Sequence, residues 1–251
     1  VDQVYDLMKN EVCPKTSLPN PKAIYDLFKK YASKGQDFIY YSFSSKLSST
    51  YQTSCLIIQE LRKEYPNVKM EVIDTKGGSF ASGLIVLQGA KLVEAGANFE
   101  DVVKISRENV ENIEHVFTID DLSWLLKGGR INKSEALIGN VLKIKPVLDV
   151  QEGKMVVIKK IRGRKRALKT VVDIVQQRIK DFPNQIIGIT HADDIKAALE
   201  VKDMIVENLG HSNVLVEKIG SVLGSHLGIG GVGVFFFNKP SNLYINEFQS
   251  I

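Results

Sequence analysis

The sequence predicts an α/β chain of two domains. Residues 1–113 form an α/β layer domain with a mainly parallel sheet, and residues 114–251 a second, α+β domain with a mixed or antiparallel sheet. Three observations carry this. Short strand-like runs alternate with helical periodicity through the first half, the pattern of a parallel sheet packed between helices. In the second half, two alternating segments flank Glu152 and Gly153, a hairpin signature. The composition, 44% hydrophobic and 25% charged over 251 residues, is ordinary for a globular chain with a sizeable core.

In order along the chain, Ile24, Leu27, Phe28 and Tyr31 recur at helical spacing from Pro21 to Lys34 and stop at Gly35. FIYYSF then reads as a strand, residues 50–64 as a helix ending before Pro66, KMEVIDT as a strand, and the stretch through Leu84, Leu87 and Leu92 as a helix closing at Gly96. The domains join near residues 112–116. Beyond them HVFTI reads as a strand, followed by a short helix ending at Gly128 and Gly129 and by the hairpin. A helix from about Arg166 to Asp181 comes next, then the strand QIIGITHA, a helix from about Ile195 to Asn208 and the strand NVLVEKIG. The chain closes with a glycine-rich turn, GSHLGIGGVG, before an apolar strand.

Composition also limits function. The excess of 33 Lys and Arg over 29 Asp and Glu gives a net charge of +4, too mild to predict nucleic-acid binding. No apolar run reaches the length of a membrane span, and the first residues lack the pattern of a signal peptide. Two cysteines and four scattered histidines predict a reduced, cytoplasmic setting with no metal site.

Three segments hold the candidate chemistry. SFSSKLSSTYQ packs five serines and a threonine between a strand and a helix, where free backbone N–H groups favour an anion; one hydroxyl capping the helix would explain part of it, and the others could donate to a carboxylate or phosphate. In KTSLPNP, Thr16 and Ser17 precede two prolines, either as a rigid turn capping the next helix or as a further hydroxyl for the same anion. His226 lies within five glycines of GSHLGIGGVG, where a turn explains the glycines and an imidazole could donate to an anion or move a proton. The basic run with Arg162, Arg164, Lys165 and Arg166, together with Arg130, fits a solvated face or a protein partner. No nucleotide P-loop ending, GxSxG elbow or HExxH is present. A Ser48 and His226 nucleophilic pair remains an alternative.

Taken in order, KTSLPNP, SSKLSSTYQ, VIDTKGGSFASG, IDDLSWLLKGGRINKSEALIGNVLKIKPVL, the KIRGRKRAL run and SHLGIGGVGV resemble the DegV family of bacterial lipid-binding proteins, across about 230 residues. The resemblance implies a two-domain fold around a long-chain fatty acid, with Thr16, Ser17, Ser48 and His226 at its carboxylate and Arg130 and Arg162 near the headgroup or a partner. It implies a non-catalytic subunit without a cofactor, which presents the carboxylate to a fatty acid kinase for acyl-phosphate formation in phospholipid synthesis, with transient membrane contact and no nucleic acid. The alternatives are a Ser/His-dependent lipid hydrolase or acyltransferase, and a lipid-sensing regulator. Two departures stand out. The final turn reads HLGIGG where many relatives have a proline, and the family's opening strand and Asp-Ser turn have no counterpart here. Burying an acyl chain of about 16 carbons contributes on the order of 12 kcal/mol before the costs of association, so the headgroup needs orientation more than affinity.

Overall fold

The computed structural model describes residues 1–131, 144–210 and 213–245. Segment 132–143, which carries NKSEALIGNVLK of the longest motif above, lies outside the described residues. In chain order the elements are α1 (Asp2–Lys9), α2 (Pro21–Ala32), β1 (Phe38–Ser42), α3 (Thr50–Glu64), β2 (Met70–Asp74), α4 (Ser79–Glu94), α5 (Phe99–Asn112), β3 (Ile113–Thr118) and α6 (Ser123–Lys127). They continue with β4 (Ile144–Gln151), β5 (Lys154–Arg162), α7 (Arg164–Ile179), β6 (Ile187–His191), α8 (Ile195–Leu209), β7 (Val214–Lys218), α9 (Ser221–Leu227) and β8 (Val232–Phe237).

Two sheets result. β1 and β2 pair in parallel, Phe38 opposite Met70 through Ser42 opposite Asp74. The larger sheet has six strands in the order β5-β4-β3-β8-β6-β7, antiparallel except for the parallel β6–β7 edge. Residue burial stacks these in layers. Ile24, Phe28, Ile58 and Leu61 of α2 and α3 close over the outer face of the small sheet. Helices α7 and α8 cover one face of the large sheet through Leu168, Val172, Val175 and Val201. Between the sheets lies α4, whose Leu84 and Ile85 pack with Ile73 of β2 and with Phe235 and Phe237 of β8. A helix facing a sheet on both sides is apolar nearly all round, and SFASGLIVLQGAKLVE reads that way.

The hairpin turns where the spacing places it. Glu152 and Gly153 both adopt left-handed backbone, φ 46° and 81°, as a two-residue primed turn requires. Asn20, with Pro21 at the first helical position, caps α2 by accepting from the Lys22 N–H at 2.9 Å.

Sequence reading left three elements out or misassigned. Helix α1 docks on α9: Tyr5 Oη donates to the Ile219 carbonyl at 2.9 Å, and Lys9 and Lys218 both pair with Asp193. Helix α5 fills the stretch after Gly96, capped by Asn98, which accepts from the Asp101 N–H. The expectation that His226 sits in a glycine loop is corrected: it lies in the last turn of α9, and the glycine turn begins at Gly228. Gly224 interrupts the local pattern without ending the helix, because α9 gains its stability from packing on Tyr5.

Candidate functional site

A cavity of about 780 Å³ opens between the β1–α3 loop, α9 and the inner face of the large sheet. Such a volume suits a small molecule. Strand alternation puts Phe117 and His115 of β3 and Gly233 and Phe235 of β8 on this face. Phe43, Met155 and Leu227 complete a largely apolar wall. A second, more open depression along β2 is lined by side chains already held in ion pairs, among them Arg107 with Glu71 and Lys69 with Glu100.

One end of the cavity is polar. Thr16, on the segment joining α1 to α2, meets His226 of α9: Thr16 Oγ1 and His226 Nε2 are hydrogen-bonded at 2.8 Å across 210 residues of sequence. His226 Nδ1 is buried without a partner among the described residues and faces Gly128, where any Cβ would come within 2.2 Å of it. Burial and the nearby Arg130 guanidinium push the His226 pKa down, so at neutral pH the ring is an uncharged donor and acceptor.

The serine cluster spends much of its hydroxyl capacity on its own loop. Ser44 Oγ donates to the Gly153 carbonyl at 2.7 Å, tying the loop to the β4–β5 turn. Ser48 Oγ is bonded to Thr50 Oγ1 at 2.8 Å and accepts from the Thr50 N–H at 3.3 Å. Ser45, Ser48, Ser49 and Thr50 all face the cavity, and Ser17 stands exposed at its mouth. Arg130 crosses the opening, donating through Nε to the Leu47 carbonyl at 3.3 Å and through Nη1 to the Gly128 carbonyl at 2.5 Å. Among the described residues it has no carboxylate partner.

The fold therefore brings Thr16, Ser17, Ser48, His226 and Arg130 to one cavity. It does not bring Arg162, which is exposed at the end of β5 opposite Ile144. Its neighbour Arg164 turns inward instead, pairing with Asp120 and Asp194 and donating to the Gly230 carbonyl, so that it anchors the glycine turn. Asp121 caps α6, accepting from the Ser123 N–H at 2.9 Å. Ser48 and His226 share no hydrogen bond; each is engaged by a different threonine. Sequence reading passed over His115, although the alternation of HVFT places it on the same face as Phe117.

Comparison with known proteins identifies the family. The profile of the DegV family of uncharacterised proteins matches residues 1–239. A DegV domain-containing protein of Clostridium perfringens is 38% identical over 92% of this chain and 81% of its own length. Among solved structures, the fatty acid binding DegV family protein of Streptococcus agalactiae is 31% identical, with a TM-score of 0.83 over 96% of this chain and 84% of that one. The fatty acid kinase B3 protein of Streptococcus pneumoniae, solved loaded with linoleic acid, is alike in fold, with a TM-score of 0.85 at 19% identity over 95% of this chain and 83% of that one. With the motifs in order and the profile matched along nearly all its length, the chain belongs to the DegV family.

Proposed function

We propose that this protein binds a long-chain fatty acid in the cavity, its carboxylate held by Thr16, Ser17, Ser48 and His226, and presents that carboxylate to a partner kinase that forms the acyl phosphate. The observation that carries the reading is the pairing of one polar end, organised by the Thr16–His226 hydrogen bond, with an apolar wall of Phe43, Phe117 and Phe235. Fatty acid binding by the Streptococcus agalactiae protein, at 31% identity, supports it. Hydroxyls and a neutral imidazole orient a carboxylate without the fork of an ion-paired arginine, leaving its oxygens open to phosphorylation. Arg130 at the mouth and Arg162 on the surface are cations that a kinase carrying acidic groups can meet. In this reading the chain holds the acid and the kinase supplies the chemistry.

Mass spectrometry of lipid extracted from the natively purified protein tests this. A C14–C18 fatty acid is expected, and delipidated protein should take one up on addition. Absence of lipid together with no uptake overturns the reading. Thr16→Val and Ser48→Ala should each weaken fatty acid binding about tenfold, the loss of one net hydrogen bond. With a fatty acid kinase and ATP supplied, Ser48→Ala should slow acyl-phosphate formation. Release of acid from an acyl ester without any kinase would instead favour a hydrolase.

A further inference from the structure

His115 lies on the inner face of β3, in the cavity wall, and it is 4% exposed. Neither ring nitrogen has a hydrogen-bond partner among the described residues. On the cavity side Phe235 meets the ring edge-on with centroids 5.8 Å apart, and Nε2 abuts the bare backbone of Gly77, where any Cβ would approach to 2.2 Å. The neighbouring polar pair in this wall, Ser79 and Thr190, is satisfied internally at 3.1 Å. A buried donor and acceptor left unpaired is unfavourable, and phenylalanine or leucine would fill the same volume without that cost. The ring lines the cavity on one side and on the other a polar recess of about 530 Å³ bounded by Lys76, Glu114, Asp149 and Arg178.

We infer that His115 reads a hydroxyl or keto oxygen carried partway along the acyl chain, so that the cavity takes oxygenated long-chain acids as well as plain ones. This rests on the fatty acid reading above and names the substrate class of that same site. A neutral imidazole offers one N–H and one lone pair, and an alcohol can answer either. The Cβ–Cγ torsion of histidine is broad, and Gly77 has no side chain to obstruct the ring, so a small rotation presents a nitrogen to the ligand. A plain methylene chain leaves both nitrogens unpaired, whereas a hydroxyl at that depth replaces the water it loses on entering an apolar cavity. In that reading the carboxylate occupies Thr16, Ser48 and His226, which leaves His115 for an oxygen elsewhere on the chain.

Competition against a fluorescent fatty acid on delipidated protein tests the inference, using stearic acid and its 2-, 10- and 12-hydroxy derivatives. The native protein should bind the better placed of the 10- and 12-hydroxy acids at least as tightly as stearic acid. In His115→Phe that acid should weaken tenfold or more relative to stearic acid, while the 2-hydroxy acid, whose oxygen lies beside the carboxylate, keeps its native ratio. His115→Gln, which retains a donor and an acceptor, should recover part of the selectivity. A tenfold or greater penalty for the 10- and 12-hydroxyls in native protein overturns the inference without reference to any variant. So does an unchanged ratio in a folded His115→Phe. Failure of every acid, stearic acid included, to displace the probe removes the fatty acid reading itself and this inference with it.

Discussion

At the scale of single residues, His115 also predicts how stability depends on pH. Complete burial pushes its pKa from 6.5 down to about 4. Between those values the unfolded chain holds a proton that the folded ring refuses, so stability falls as pH drops through this window, by about 3 kcal/mol for this group. Thermal melts of the unliganded protein between pH 7 and pH 4 should therefore be flatter for His115→Phe than for the native chain. A remainder persists from His191 and His226, whose pKa values burial also lowers; identical slopes in the two proteins would contradict the assignment. Legibility at this scale is uneven. The motif order points to Thr16, Ser48 and His226, and the structure gathers them. Nothing local, however, says that Thr16 and His226 bond to each other, because 210 residues separate them. Arg162 and Arg164 look alike in sequence, yet one faces solvent and the other anchors a turn. The difference arises where β5 ends and α7 begins, and composition does not record it.

At the scale of elements, the β4–β5 hairpin is more than a surface turn. Gly153 holds φ 81° and passes its carbonyl to Ser44, and a Cβ there would meet Ser44 Oγ at 2.7 Å and Lys46 Cγ at 3.1 Å. Gly153→Ala should cost about 2 kcal/mol or more through the left-handed backbone alone, read as a lowered melting temperature. It should also weaken fatty acid binding, because the displaced loop carries Ser48. Stability loss with unchanged binding would separate the turn from the site. The hairpin is plain in the sequence because turn chemistry is local. Helices α1 and α9 are harder to see for the opposite reason: each is short, and each is held by the other through Tyr5, whose hydroxyl reaches the Ile219 carbonyl. Short helices are marginal without such packing, so their signal lies in partners distant in the chain. Helix α4 shows a third case, where residues apolar on every side announce a helix yet conceal that sheets lie on both sides of it.

For the whole molecule, the cavity sits where two layers meet instead of within either one, so an occupant links them. A fatty acid at one hundred times its dissociation constant should stabilise the native state by about 2.7 kcal/mol, raising the melting temperature by roughly 5–10 °C for a chain of this size. Calorimetry of delipidated protein with and without added fatty acid measures this, and no shift at that concentration would show that the native protein does not bind the acid. The two sheet types follow from the strand and helix pattern, since that pattern reports which elements must be covered. The seam between layers does not follow from it, because its shape depends on side chains brought together from six or more elements.

Arg130 fastens that seam. With one nitrogen on the Leu47 carbonyl and another on the Gly128 carbonyl, a single guanidinium ties the β1–α3 loop to the turn after α6 beside the cavity. In the fatty acid reading these two bonds act on the passage of the acid and not on the wall that holds its tail. Arg130→Ala should therefore shorten the residence time of an added fatty acid, read by stopped-flow displacement of a fluorescent analogue, more than it lowers equilibrium affinity.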